Sequence, residues 1–143
     1  MKVTAHKLVA PVTIVFDSTF KPGTKMRISG SMPDPYDSFL MDFCCGEGNT
    51  DDIAMRMKPS FQSQTVEFST RKSQEWTQPV IVKQNPFRRG QPFLLELQVV
   101  QDNYRVLVDG SPLQDFKYDT TQDPVRVLKI VGQVEIQKVE RDV

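Results

Sequence analysis

The sequence predicts an all-β fold, an antiparallel sandwich of about ten to twelve short strands. Apolar and polar residues alternate in segment after segment, which is the period of a half-buried strand. Pro, Gly, Asn and Asp separate these segments at intervals of roughly 8 to 14 residues, a spacing typical of antiparallel strands joined by turns. No segment sustains the 3.6-residue period of a capped helix, so we expect two packed sheets rather than helical layers.

The strongest strand signals lie in the segment 93–110. It contains two successive strands, each with one apolar face. The first face comprises Phe93, Leu95, Leu97 and Val99, and the second comprises Tyr104, Val106 and Val108. Polar residues 101–103 turn the chain between them, and Asp109 and Gly110 supply the positive-φ dipeptide of a tight hairpin. The segment therefore predicts an antiparallel meander of three strands. A brief strand at 112–116 is expected after the meander.

The elements before this meander follow from the same alternation. Residues 1–11 are interpreted as a loose N-terminal lead-in, and residues 12–143 as a single domain. Lys21-Pro22-Gly23-Thr24 has Pro and Gly where a type II turn requires them. Pro59 is expected to end a strand, and Pro79 to interrupt one, because proline cannot donate to a ladder. The predicted strands before the meander are 12–16, 25–29, 39–44, 53–58, 65–69 and 76–82.

Two more strands, at 125–130 and 134–139, are predicted to close the chain, with Gly132 as the hinge between them.

In the strand 53–58 the alternation turns Arg56 and Lys58 to the same outward face. In the strand 65–69 it likewise turns Glu67 and Ser69 outward.

Composition excludes several classes of function. The 18 basic and 18 acidic residues cancel, so no net positive field favours nucleic acid. No run of about 18 apolar residues predicts membrane insertion, and no apolar signal region is found near the N-terminus, which favours a cytoplasmic location. The single histidine, His6, lies in the lead-in, and the adjacent Cys44 and Cys45 cannot both face one metal ion from a strand. We therefore expect no enzymatic activity, no metal and no cofactor.

The framework residues resemble those of the galectins, a family of jelly-roll lectins that bind β-galactosides. The resemblance runs from about Thr19 to Val139 and depends on the order and spacing of several short elements. These elements are Phe20-Lys21-Pro22-Gly23-Thr24, Ile28-Ser29-Gly30, 39–43, Asp52-Ile53-Ala54, Trp76, Pro86-Phe87, Gly90, Phe93, 104–110, Phe116 and 128–134. The resemblance implies a galectin-like jelly-roll sandwich of two antiparallel sheets.

The residues at the family's sugar-binding positions are mostly different in this chain. Galectins read galactose with a His-x-Asn-Pro-Arg strand, an Asn on the next strand and a Trp-Gly-x-Glu-x-Arg segment. Of the side chains that contact sugar in that pattern, only Trp76 is kept. The positions of the others hold Arg56, Lys58, Ser60, Ser69, Pro79 and Ile81, and Thr77 replaces the glycine.

These substitutions predict very weak or no binding of ordinary lactose. Pro79 and Ile81 have no side-chain donor or acceptor, and each unpaired polar group in a binding site costs about 1 to 3 kcal/mol. Trp76 can still stack on a pyranose, but an apolar contact without hydrogen bonds is weak and unselective.

Two hypotheses follow from this resemblance. In the first, a divergent lectin takes a different or anionic glycan, or a glycoprotein, since paired cations suit sulfated or sialylated sugars. In the second, a galectin-fold module has exchanged sugar for a protein partner or a structural role. The candidate carbohydrate-binding residues are Arg56, Lys58, Ser60, Ser69, Trp76, Glu67, Gln78 and Asp42.

Alternative interpretations of these residues stay open at the level of sequence. Trp76 alone could instead cap one end of the core, and Arg56 and Lys58 could form an ordinary solvated strand face. The resemblance also implies a homodimer formed through terminal strands, and export without a signal peptide.

Overall fold

The computed structural model describes residues 2–34, 38–118 and 124–142, with the backbone alone for residues 2–9. The described chain forms thirteen β-strands. They are β1 (Lys2–Val9), β2 (Val12–Val15), β3 (Lys25–Ser31), β4 (Phe39–Cys44), β5 (Ile53–Ser60), β6 (Thr65–Lys72), β7 (Glu75–Trp76), β8 (Val80–Val82), β9 (Pro92–Val100), β10 (Asn103–Val108), β11 (Ser111–Lys117), β12 (Val127–Gly132) and β13 (Glu135–Asp142).

The strands build two antiparallel sheets, which confirms the predicted jelly-roll sandwich. One sheet has the order β1-β13-β3-β9-β10-β11, and the other has the order β2-β12-β4-β5-β6-β7, with β8 also pairing β6. Strands β9, β10 and β11 form an antiparallel meander, and the Asp109-Gly110 turn within it has positive φ at both residues, as the sequence predicted for this hairpin. We call the sheet that contains β5 and β6 the groove sheet.

Alternate side chains of the two sheets face each other and form one core. Leu95, Leu97 and Val106 of the first sheet and Met57 and Phe68 of the groove sheet are almost fully buried. Aromatic rings span the interface, as where Phe68 stacks on Phe116 with ring centroids 6.0 Å apart. Because the inward positions are used by the core, the remaining side chains of the groove sheet are left for its outer face.

The interpretation of residues 1–11 as a loose lead-in is wrong for most of this segment. Lys2–Val9 form β1, which pairs with β13 over a register running from Lys2 opposite Asp142 to Val9 opposite Glu135. The partner strand lies at the far end of the sequence, and one strand's own residues do not reveal such a long-range partner. The first sheet therefore ends in an additional edge strand.

Two prolines, Pro59 and Pro79, lie in or beside strands of the groove sheet. Pro59 does not end β5, contrary to expectation, because pairing with β6 continues through Pro59 opposite Val66 to Ser60 opposite Thr65. Pro79 does interrupt the predicted strand 76–82, which is divided into β7 and β8. The outer edge of the groove sheet is thus broken next to Trp76. Within the described residues, no helix is long and apolar enough to cross a membrane.

Candidate ligand-binding groove

Three neighbouring strands, β5, β6 and β7, align the candidate residues on the outer face of the groove sheet. Register places Arg56 opposite Ser69 and Lys58 opposite Glu67. These side chains border a groove of about 220 Å³, whose other walls come from the broken edge of the sheet. The residues that line it are Arg56, Lys58, Glu67, Ser69, Trp76, Thr77 and Pro79.

Trp76 lies at the edge of the groove and points outward rather than into the core. It belongs to the two-residue strand β7, opposite Arg71, and 43% of its surface is exposed. An exposed indole on a strand edge presents a large apolar face to a ligand. The position of this ring therefore agrees with a platform and not with a residue that caps the core.

Arg56 is fixed by a bidentate ion pair with Asp42 of the adjacent strand β4. Arg56 Nε donates to Asp42 Oδ1 at 2.7 Å, and Arg56 Nη2 donates to Asp42 Oδ2 at 2.8 Å. Asp42 is only 5% exposed, so its carboxylate cannot turn to water. The hydrogen bond to this carboxylate raises the pKa of Arg56 further, and the guanidinium is charged at every relevant pH.

The same guanidinium lies over the indole of Trp76. Its Cζ atom is 4.4 Å from the ring centroid, within the range of a cation–π contact. Arg56 and Trp76 line the groove together with Ser69 of the intervening strand β6. The ring is thus exposed to solvent in part and covered by Arg56 in part.

A second arginine, Arg71, also contacts the ring and was not anticipated from the sequence. Its Cζ atom is 5.6 Å from the Trp76 centroid, and its Nη2 donates to the carbonyl oxygens of Asn49 and Asp51 at 2.8 Å each. The alternation of β6 placed Arg71 on the same face as Ser69. That periodicity was the one signal that could have identified it.

The structure does not bring all candidate residues to the groove. Ser60 turns toward the β5–β6 connection, where its Oγ accepts from the backbone N–H of Ser63 at 3.4 Å. Gln78 is exposed on the segment between β7 and β8 and is not among the lining residues. Asp42 lies on the adjacent strand β4, is not among the lining residues, and is linked to the groove through its ion pair with Arg56.

The rim of the groove along the broken edge is largely apolar. Pro79 lines it, and Ile81, which lies opposite Glu67, is 51% exposed. Thr77 has a hydroxyl, but its Oγ1 already accepts from the backbone N–H of Thr70 at 3.1 Å. The polar groups that face a ligand are therefore concentrated on β5 and β6.

The chemistry available here is that of recognition. Lys58 is exposed, and among the described residues no carboxylate lies within ion-pair distance of its ammonium group. Arg56, Lys58 and Arg71 supply three cations against the carboxylates of Asp42 and Glu67, beside one exposed ring. Within the described ranges, no group of His, Cys, Asp and Glu side chains could hold a metal ion.

Comparisons with known proteins agree with this architecture. The family model described as galactoside-binding lectin matches residues 11–141. Galectin-7 of Rattus norvegicus is 26% identical over 140 residues, which cover 98% of each chain. The structure of Caenorhabditis elegans galectin LEC-6 has a TM-score of 0.86 and 18% identity and covers 98% of this chain and 96% of that one. The structure of sheep galectin-11 in complex with glycerol has a TM-score of 0.83 and 22% identity. It covers 92% of this chain and 97% of that one.

Proposed function

Because the chain belongs to the galactoside-binding lectins, the galectins, we propose that its altered groove binds a glycan other than ordinary lactose. The observation that carries this proposal is the groove itself. Its lining includes Arg56, Lys58, Ser69 and Trp76, at the positions where the family resemblance places sugar contacts, and the polar pattern of the family is replaced. A site that is formed but differently lined favours altered specificity over loss of binding.

Ordinary lactose finds fewer hydrogen-bond partners in this groove than in the family's pattern. Pro79 and Ile81 offer no side-chain hydrogen bond, and Ser60 turns away toward the β5–β6 connection. Each sugar hydroxyl left unpaired on burial costs about 1 to 3 kcal/mol. We expect a lactose dissociation constant weaker than about 1 mM, which corresponds to less than roughly 4 kcal/mol of binding.

A glycan that carries sulfate or carboxylate fits the groove better. Lys58 is exposed, and Arg56 uses only two of its N–H bonds on Asp42, so donors remain on both side chains. The excess of cations over carboxylates near Trp76 favours an anion, although Glu67 opposite Lys58 limits the effect. Hydrogen bonds to a charged acceptor are about twice as strong as neutral ones.

A glycan array that contains neutral, sulfated and sialylated structures tests this proposal. Reproducible anionic hits that disappear in Trp76→Ala and weaken in Lys58→Gln would support it. Val15→Ala is the matched control, because Val15 is 41% exposed on the edge strand β2 and lies outside the groove. Tight binding of unmodified lactose would contradict the proposed specificity, and a blank array would contradict the proposed function.

The second candidate function is recognition of a protein through the same edge of the sheet. Three of the large hydrophobic residues that the structure leaves exposed, Trp76, Val80 and Ile81, lie along β7 and β8. Clustered apolar surface of this kind is typical of an interaction site. A blank array together with a specific partner lost in Ile81→Lys would favour this candidate.

Assembly and location complete the proposal. A homodimer formed through terminal strands would raise avidity for multivalent glycans, and light scattering of the purified protein tests its mass.

Cytoplasmic residence with export independent of a signal peptide is tested by fractionation of expressing cells and their medium.

A further inference from the structure

We infer that Arg56, clamped by Asp42, is a fixed cover on the Trp76 indole that excludes uncharged sugar rings from the groove. This inference rests on the proposed function, since it concerns the selectivity of the same site. It adds a mechanism: the side chain that replaces the family's histidine also occupies the stacking surface.

The first step is the position of the guanidinium. A pyranose that stacks on an indole needs the ring face, and Arg56 Cζ lies over the Trp76 ring, 4.4 Å from its centroid, with both side chains lining the groove. A planar guanidinium at that distance is in contact with the ring and occupies the place of a stacked sugar. A neutral sugar must therefore displace Arg56 before it can stack on the part of the ring that the guanidinium covers.

The second step is the clamp that opposes this displacement. Two hydrogen bonds, at 2.7 and 2.8 Å, hold Arg56 to a carboxylate that is only 5% exposed. Moving Arg56 away would leave the Asp42 charge buried without its partner, which is strongly unfavourable. A sugar hydroxyl can donate to Asp42 but carries no positive charge, so it does not replace the guanidinium. An anionic group can instead accept from the N–H bonds that Arg56 keeps free, without breaking the clamp.

Trp76 is the only tryptophan, so its fluorescence reports the cover directly and without any ligand. Arg56→His keeps a donor for Asp42 but is shorter and has no guanidinium to cover the ring, and Asp42→Asn keeps the volume but removes the charge of the clamp. In both variants we expect the Stern–Volmer constant for acrylamide quenching to rise about twofold as the ring is uncovered. Arg88→Gln, an exposed arginine outside the groove lining, is the matched control and should leave quenching unchanged.

Lactose titration of Arg56→His then tests exclusion of neutral sugars. We expect an affinity at least about tenfold above that of the unsubstituted protein, equivalent to about 1.4 kcal/mol. Unchanged quenching in both variants would overturn the cover, and raised quenching without a gain in lactose affinity would overturn its role in selectivity. Both readouts differ from the array on the unsubstituted protein, so a blank array with raised quenching would refute the proposed function and leave the cover standing.

Discussion

Asp42 and Arg56 depend on each other unequally, because one is buried and the other reaches solvent. The side chain of Asp42 is 7% exposed and that of Arg56 is 30% exposed. Arg56→Ala strands a buried carboxylate and should lower the free energy of unfolding by about 2 to 4 kcal/mol. Asp42→Ala leaves an arginine that can turn to water, and should cost about 1 to 2 kcal/mol.

Urea denaturation of the two single variants and the double variant measures this asymmetry. The double variant should lose less than the sum of the single losses, because the charge that each single variant strands is then absent. Lys58→Ala, an exposed residue of the same strand, should change stability by less than about 0.5 kcal/mol. Equal losses in the two single variants would show that burial does not set the strength of this pair.

Sequence periodicity was sufficient to place individual side chains on a face, but not to define their contacts. Alternation put Arg56, Lys58 and Ser69 on one side of neighbouring strands, and the structure places all three at the groove. The cover on Trp76 depends on the register that sets Asp42 opposite Arg56 and on the side-chain conformation that brings the guanidinium of Arg56 over the ring. Neither follows from one strand's own pattern.

The hinge between β12 and β13 requires glycine for two separate reasons. Gly132 has φ of +119°, and a Cβ atom there would lie 2.8 Å from Phe39 Cα. Gly23 also has positive φ, at +100°, but nothing lies within 4 Å of its Cβ position. A Gly132→Ala variant must strain the backbone and also push β4 away, whereas Gly23→Ala only strains the backbone.

We therefore expect Gly132→Ala to lower the melting temperature clearly more than Gly23→Ala does. The backbone term is about 1 to 2 kcal/mol in both variants, and the steric conflict with Phe39 adds about 1 to 3 kcal/mol in Gly132→Ala alone. Thermal unfolding followed by circular dichroism provides the comparison. Similar melting temperatures would mean that β4 can move aside at little cost.

The edge strand β1 shows why strand partners were harder to predict than strands. Its register with β13 joins the two ends of the described chain. Deletion of residues 2–9 should therefore destabilise the domain and expose the edge of β13, which a loose lead-in would not do. Loss of cooperative unfolding or self-association on size-exclusion chromatography would agree with the structure. An unchanged urea midpoint in a monodisperse sample would show that residues 2–9 add no stability to the domain, as expected of a loose lead-in.

At the scale of the whole molecule, the fold followed from sequence because many weak signals agreed. Alternation, turn residues and the framework shared with galectins all indicated one sandwich, and each core position reinforces the others. The groove carries fewer constraints, because its outward residues are not fixed by packing. Its specificity is therefore encoded in a small number of side-chain geometries.

The stability of the whole domain should also depend on one buried thiol at alkaline pH. Burial raises the pKa of Cys44 to about 12, and the carboxylate of Asp42 contributes in the same direction. In the unfolded chain a cysteine ionises near pH 8.5, so between about pH 9 and 12 the unfolded state holds fewer protons than the folded state. The stability that the protonated thiol provides is complete below about pH 8.5 and is lost as pH rises through this window.

Urea denaturation followed by Trp76 fluorescence at about pH 8 and about pH 10 tests this dependence against Cys44→Ala. The unsubstituted protein should lose up to about 1 kcal/mol more than the variant between these pH values, a figure already reduced for partial solvent screening. Tyr104, whose pKa is also raised by burial, is present in both proteins, so its contribution cancels in the comparison. Parallel losses in the two proteins would mean that Cys44 ionises as readily in the folded state as in the unfolded chain.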